Sequence, residues 1–151
     1  MAKTKTASST VKKIAVILIR GTTRSPHFVV KTLEVLQLHR VNHAVIVSNT
    51  PAIKGMIVKV KDYVTWGEIT DETFAELLNT RGELYQGRLQ DSKKKYQYRV
   101  LNMNGKTYKP YFRLNPPQKG FGRKGTKVAY AASGGLGYRG EAINDLITRM
   151  L

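Results

Sequence analysis

Ile14–Ile19 (IAVILI) is the stretch on which the fold turns. Six apolar residues in an unbroken run are of strand length, and a strand that is apolar at every position belongs in the middle of its sheet. Arg20–Gly21 ends the run. Just downstream, Ser25 and Pro26 supply a cap and a proline at the first helical position. Val29, Leu33 and Leu36 then recur at i, i+4 and i+7, which predicts a helix to about His39. A second β-branched run, His43–Val47, follows, and Thr50–Pro51 repeats the helix start. The helix from Pro51 to Lys61 buries Ile53, Met56, Ile57 and Val60 and leaves Lys54 and Lys61 on its other side. Tyr63–Ile69 reads as a third strand. Residues 14–69 are therefore β-α-β-α-β, expected as a two-layer α/β sandwich in which two helices back one face of a three-stranded sheet.

Further out, Thr70 with Asp71 and Glu72 opens a third helix carrying Phe74, Leu77 and Leu78, and a last helix from about Glu141 carries Ile143, Leu146, Ile147 and Met150. Between them, Tyr96–Leu101 and Tyr108–Leu114 flank Asn104–Gly105, which suits a two-residue hairpin turn. Pro110 would confine the second of those strands to an edge. Upstream, Met1–Lys13 reads as a flexible basic arm that orders on contact. The expected organisation is thus an arm (1–13), a core (14–69) and an extension (70–151) with helices and a hairpin.

Charge narrows the function. The chain of 151 residues holds 26 Lys and Arg against 10 Asp and Glu, a net charge of +16. From Gln86 to Lys127 there are 12 basic residues and one acid, Asp91, interleaved with aromatics and glycines. That composition fits a surface for a polyanion, and nucleic acid is the obvious one. A membrane partner is not expected, because prolines and glycines break the most basic segment where an amphipathic helix would be needed. The N-terminal residues lack the apolar stretch of a signal peptide and no run reaches the roughly 20 apolar residues of a bilayer span, so a soluble, cytoplasmic protein is expected. With no cysteine there is neither disulfide nor thiolate metal site.

Chemistry-bearing motifs are few. Gly135-x-Gly137-x-x-Gly140 has dinucleotide-fingerprint spacing, follows an expected strand at Lys127–Ala132 and precedes a helix. Only eleven residues follow it, too few for the second strand and distal acid of that unit. Gly120-x-Gly122-x-x-Gly125 has the same spacing with no strand before it. No phosphate loop, nucleophile–base pair or metal-ligand set is found, so no cofactor, small-molecule substrate or enzymatic activity is expected.

The runs LHRVNHAVIV (Leu38–Val47), KGMIVKVKDYVTWGEI (Lys54–Ile69), FRLNPPQKGF (Phe112–Phe121) and SGGLGYRGEAINDLITRM (Ser133–Met150) resemble the large-subunit ribosomal protein L-thirty family in its archaeal long form. The resemblance covers nearly the whole chain and departs from the family pattern between about Tyr85 and Lys109. It implies three antiparallel strands in the order three-one-two under two helices, similar to a ferredoxin-like fold. It also implies a structural constituent of the large ribosomal subunit, bound to rRNA close to 5S rRNA and beside other large-subunit proteins. A free-standing RNA- or DNA-binding or chaperone module is the alternative.

Within that frame, folded RNA is read through phosphates, 2′-hydroxyls and unstacked bases. Arg20 and Arg24, where the first strand leaves for the first helix, are the leading phosphate contacts. His39, Arg40 and His43 lie in the next connection; Arg40 suits phosphate, while each histidine is as readily a cap or a core residue, and no third ligand supports a metal. Lys54, Lys59 and Lys61 could grip phosphate along the second helix or simply be solvated. Trp66 reads as core before stacking platform. Arg113, Lys119, Arg123, Lys124 and Lys127 alternate with Tyr111, Phe112 and Phe121, which places stacking beside charge, and Arg139 near a helix start suits phosphate.

Overall fold

The computed structural model describes residues 13–103 and 105–151; the expected basic arm, apart from Lys13, and Asn104 of the hairpin turn lie outside the described residues. In chain order the elements are β1 (Lys13–Leu18), α1 (His27–Val35), β2 (His43–Ser48), α2 (Pro51–Lys59), β3 (Val64–Glu68), α3 (Asp71–Arg81), β4 (Leu101–Met103), β5 (Lys106–Tyr108), β6 (Phe112–Arg113), a 3-10 turn (Tyr130–Ala132), β7 (Gly137–Tyr138) and α4 (Ala142–Thr148).

β1 pairs antiparallel with β2 on one side and β3 on the other, which is the central position its apolar run demands. The sheet does not stop at three strands. β6 adds antiparallel to β2 and β7 adds parallel to β3, so the order is β6-β2-β1-β3-β7. The extension thus supplies both edges and corrects the expectation of a three-stranded sheet.

The layer count is corrected too. Ile14, Val16 and Leu18 face α1 and α2 and pack with Val29, Leu33 and Ile57. Ala15 and Ile17 face the other way and pack with Phe74, Leu77, Ile143 and Leu146 of α3 and α4. The sheet is therefore covered on both faces, a three-layer α/β/α arrangement. Helices α3 and α4 each carry an apolar stripe worth about 1.5–3 kcal/mol per buried large side chain, and the open face of the sheet is where that stripe is satisfied. Gly67 makes the approach on that side possible: a Cβ there would lie 2.0 Å from the Gly140 carbonyl oxygen and 3.0 Å from Ile143 Cβ.

Local signals set most element ends. Thr50 caps α2, its Oγ1 accepting from the Ile53 N–H at 3.4 Å with Pro51 at the first position. In α1 the cap residue is Pro26 rather than Ser25, and the helix stops at Val35, four residues before His39. The reason is a Schellman closure, with Gln37 at φ 64°: Leu38 N–H reaches the Leu33 carbonyl and Gln37 N–H the Glu34 carbonyl, both at 2.9 Å. A hairpin forms from β4 and β5. Its second run divides, however, so that Tyr108 ends β5 while Phe112–Arg113 crosses to the main sheet. Lys127–Ala132 is not a strand; it holds one bridge, Ala129 to Leu136, and the 3-10 turn. Among the described residues no helix is long and apolar enough to cross a membrane.

Candidate nucleic-acid interface

The backbone brings cations from distant parts of the sequence to the β7 side of the sheet. Arg20 sits where β1 ends; its guanidinium stacks over Tyr63, 5.3 Å from the ring centre, and Nη1 donates to the Asp62 carbonyl at 3.2 Å. Arg24, four residues on, is exposed and has φ 60°. Next to that turn, Lys61 and Lys127 border one groove with Trp66 and Tyr138. Lys54 borders a second groove that the same two rings also line. Lys59 is exposed at the end of α2. Trp66 is half-buried against the α1/α2 core, and its ring centre lies 6.4 Å from that of Tyr138, which is 57% exposed. The tryptophan is thus core on one side and half of an aromatic platform on the other, a geometry suited to an unstacked base beside phosphates.

Lys119, Arg123, Lys124 and Lys127 are exposed on one irregular segment, yet that segment is held firmly. It lies backbone to backbone on residues 133–136: Lys124 N–H donates to the Ser133 carbonyl at 3.0 Å and Gly135 N–H to the Val128 carbonyl at 2.9 Å. Gly122 is required by this approach, since a Cβ would stand 2.3 Å from the Gly134 carbonyl oxygen. Two arginines complete the clamp. Arg149 Nη1 donates to the Gln118 and Gly120 carbonyls, both at 3.0 Å, with Nε on Asp145 Oδ2 at 3.0 Å. Arg139 donates through Nη2 to the Phe121 and Gly135 carbonyls and through Nε to Thr65 Oγ1 at 2.9 Å.

Arg139 is therefore not a solvent-facing cation at a helix start. Only 7% of it is exposed, and the Tyr130 ring covers its guanidinium at 4.6 Å. Burial, and then the neighbouring Arg149, push its pKa below the usual guanidinium value.

Around the β6 edge, His39 and Arg40 are exposed, with His39 Nε2 3.5 Å from Gln37 Oε1. His43, read as a candidate RNA contact, is buried at 9% exposure and stacks on Tyr111 with ring centres 5.1 Å apart and planes 5° apart. Its Nδ1 has no described partner. Burial first, and then the charge of Arg113, hold its pKa below the ordinary histidine value. Arg113 is exposed, but its Nε lies 3.4 Å from Glu83 Oε1, and Lys109 Nζ reaches Glu83 Oε2 at 2.5 Å. The hydrogen bond from Lys109 is the main reason Glu83 stays ionised below the usual carboxylate range. Among the described residues no group of histidines and acids is arranged to hold a metal.

Four participants escape a reading of the sequence alone: Tyr138, Tyr130, Arg149 and Glu83. Tyr138, exposed at the end of β7, and Arg139, buried just after it, face opposite ways, and Asp145 with Arg149 has helical i, i+4 spacing; those are the available signals. Nothing local links Glu83 to Arg113.

Comparison with known proteins identifies the family. Residues 14–64 match the family described as Ribosomal protein L30p/L7e. A protein of Nanoarchaeum equitans named large ribosomal subunit protein uL30 is 41% identical, over 91% of this chain and 97% of the relative. The chain belongs to the uL30 family. Members sharing that name from Methanosphaera stadtmanae (38% identical, over 91% of this chain and 99% of theirs) and Methanopyrus kandleri (40%, over 80% and 91%) match across core and extension alike. The uL30 likeness therefore includes the clamped cationic segment as well as the β-α-β-α-β part.

Proposed function

We propose that the chain is a non-catalytic structural constituent of the large ribosomal subunit that holds rRNA along the β7 side of its sheet. The observation that carries this reading is the placing of Lys54, Lys61 and Lys127 in grooves shared with Trp66 and Tyr138, with Arg20 beside Tyr63 and with Lys119, Arg123 and Lys124 exposed on the clamped segment, none of them in an ion pair with a described carboxylate. Free cations beside a stacking surface supply the two elements that irregular RNA offers a protein, backbone phosphate and unstacked bases. Likeness to the archaeal uL30 proteins over most of the chain supports rRNA as the nucleic acid. Arg24 and Lys59 add phosphate contacts of lesser weight, Arg40 is a separate phosphate contact near the β6 edge, and contact with neighbouring subunit proteins and proximity to 5S rRNA belong to the proposal as well.

Sedimentation and crosslinking test it. The native protein should travel with the large subunit at physiological salt, and its RNA crosslinks should fall on the peptides containing Lys61, Trp66, Lys119–Lys127 and Tyr138. Sedimentation free of ribosomes with exchangeable binding to many sequences would instead identify a free-standing module. Crosslinks confined to the N-terminal arm would remove the β7 side from the interface.

A further inference from the structure

Between the Lys119–Arg123 segment and α4 lies an open cavity of about 410 Å³, bordered by Lys119, Arg123, Tyr130, Arg139, Asp145 and Arg149. Four cations meet one carboxylate there, and that carboxylate is engaged by Arg149 Nε at 3.0 Å. Arg139 is the unusual member. It is a nearly buried full charge whose acceptors, Thr65 Oγ1 and the Phe121 and Gly135 carbonyls, are all neutral. A buried charge ordinarily has an opposite charge beside it. Its hydrogen bonds to described residues run through Nε and Nη2 and none through Nη1. Arg139 also borders the cavity, which puts its guanidinium beside an occupant.

Building on the RNA-binding reading, we propose that this cavity seats one backbone phosphate of RNA, received by Arg139 Nη1 from below and by Lys119 and Arg123 from the rim. A phosphodiester supplies the negative charge that Arg139 lacks and has the non-bridging oxygens that guanidinium groups bind well. The volume accommodates that group together with several waters, each needing about 30 Å³. Tyr130 closes one wall over the Arg139 guanidinium, which excludes solvent on that side. The clamp then has a second purpose: the same two arginines that fix the loop also fix the anion seat, so the contact is pre-organised and does not depend on flexible side chains alone.

The test uses the full chain and an in vitro transcript of the large-subunit rRNA, with phosphate-ethylation interference mapped for the unchanged protein, the double variant Lys119→Gln/Arg123→Gln and the variant Lys93→Gln. Both substituted rim residues are exposed, so the fold is retained, which circular dichroism checks. The unchanged protein should show interference at a small set of phosphates, and at least one position should vanish in the double variant alone. The slope of log affinity against log salt should become shallower there by about 0.7–0.9 for every phosphate that the variant no longer neutralises. Identical interference positions and an unchanged slope would overturn the phosphate seat while leaving RNA binding standing. A polyglutamate peptide that competes at that position as readily as inorganic phosphate does would assign the cavity to carboxylates and overturn it too. Absence of RNA binding by the unchanged protein is a different outcome, and it removes the functional reading itself.

Discussion

At the β6 edge, Lys109 and Arg113 both reach Glu83, whereas at the β7 edge Lys61, Lys119, Arg123 and Lys127 reach no carboxylate among the described residues. Aromatic rings differ in the same way: Tyr111 is occupied by His43, while Tyr138 leaves most of its ring exposed beside Trp66. Both edges come from the same extension and look alike in composition. The difference shows that charge available to a partner is what remains after the fold has paired part of it, a quantity that counting along the chain does not measure.

The largest effect should come from the buried end of the β7 side. Arg139→Leu leaves the Phe121 and Gly135 carbonyls and Thr65 without their shared donor, and we expect a loss of about 3 kcal/mol in urea unfolding, with early tryptic cleavage after Lys119 and Arg123. An unchanged cleavage pattern would mean that the clamp does not hold the loop. Next, Lys61→Gln/Lys127→Gln should make the salt dependence of rRNA binding shallower by about 1.4–1.8, as expected when two phosphates go without a cation, while Lys109→Gln should barely alter it. Equal effects at both edges would erase the contrast.

The contrast can also be removed from the other side. Glu83→Gln releases Lys109 and Arg113, so the salt slope should steepen by up to about that same amount, read in the same titration. A slope that stays put would show that pairing with Glu83 is not what silences the β6 edge. The smallest effect is a pH dependence. Burial holds His43 below 6.5, so the unfolded chain takes up a proton there while the folded chain remains neutral. More protons are then bound by the unfolded state, and stability should fall as pH drops from about 6.5 through the folded pKa. Glu83, held below 4.5 chiefly by the Lys109 hydrogen bond, adds a second loss below that pH. Urea midpoints at pH 7.5, 6 and 5 should decline, and in His43→Phe, which can still stack on Tyr111, the decline between pH 6.5 and 5 should disappear.

Much of the fold is local, and local features are legible in the sequence. The β-branched runs, the Thr50–Pro51 start and the helix stripes fix their elements without help from distant residues. What cannot be read is which surfaces meet. An apolar run such as Ile14–Ile19 signals a central strand but does not say whether one face or both are covered, so it does not assign α3 and α4 to the second face. The site follows the same rule. Exposed lysines on α2 and on the Lys119–Lys127 segment can be recognised from composition, but their meeting depends on the parallel pairing of β7 with β3, in which Thr65 and Gly137 are 72 residues apart in sequence. Arg139 stands in a glycine-rich spacing that suggests a solvent-facing donor, and only its packing against Thr65 and Phe121 turns it inward. His43 stays balanced between core and surface until the position of Tyr111 is known.

Burial of β1 on both faces has a further consequence for how the strands find alignment. A sheet with one wet face is kept in register because a one-residue slip would carry greasy side chains into water. Here that penalty is missing for β1, and size has to replace it: one face matches Val16 with Val45 and Trp66, while the other sets Ala15 opposite Gly67 and Ala44 opposite Ile17. A one-residue slip of β3 would bring Trp66 or Glu68 to the place where Gly67 meets the backbone of Gly140, and even a single carbon does not fit there. Steric proofreading by small residues thus does for this sheet what wetting does for others.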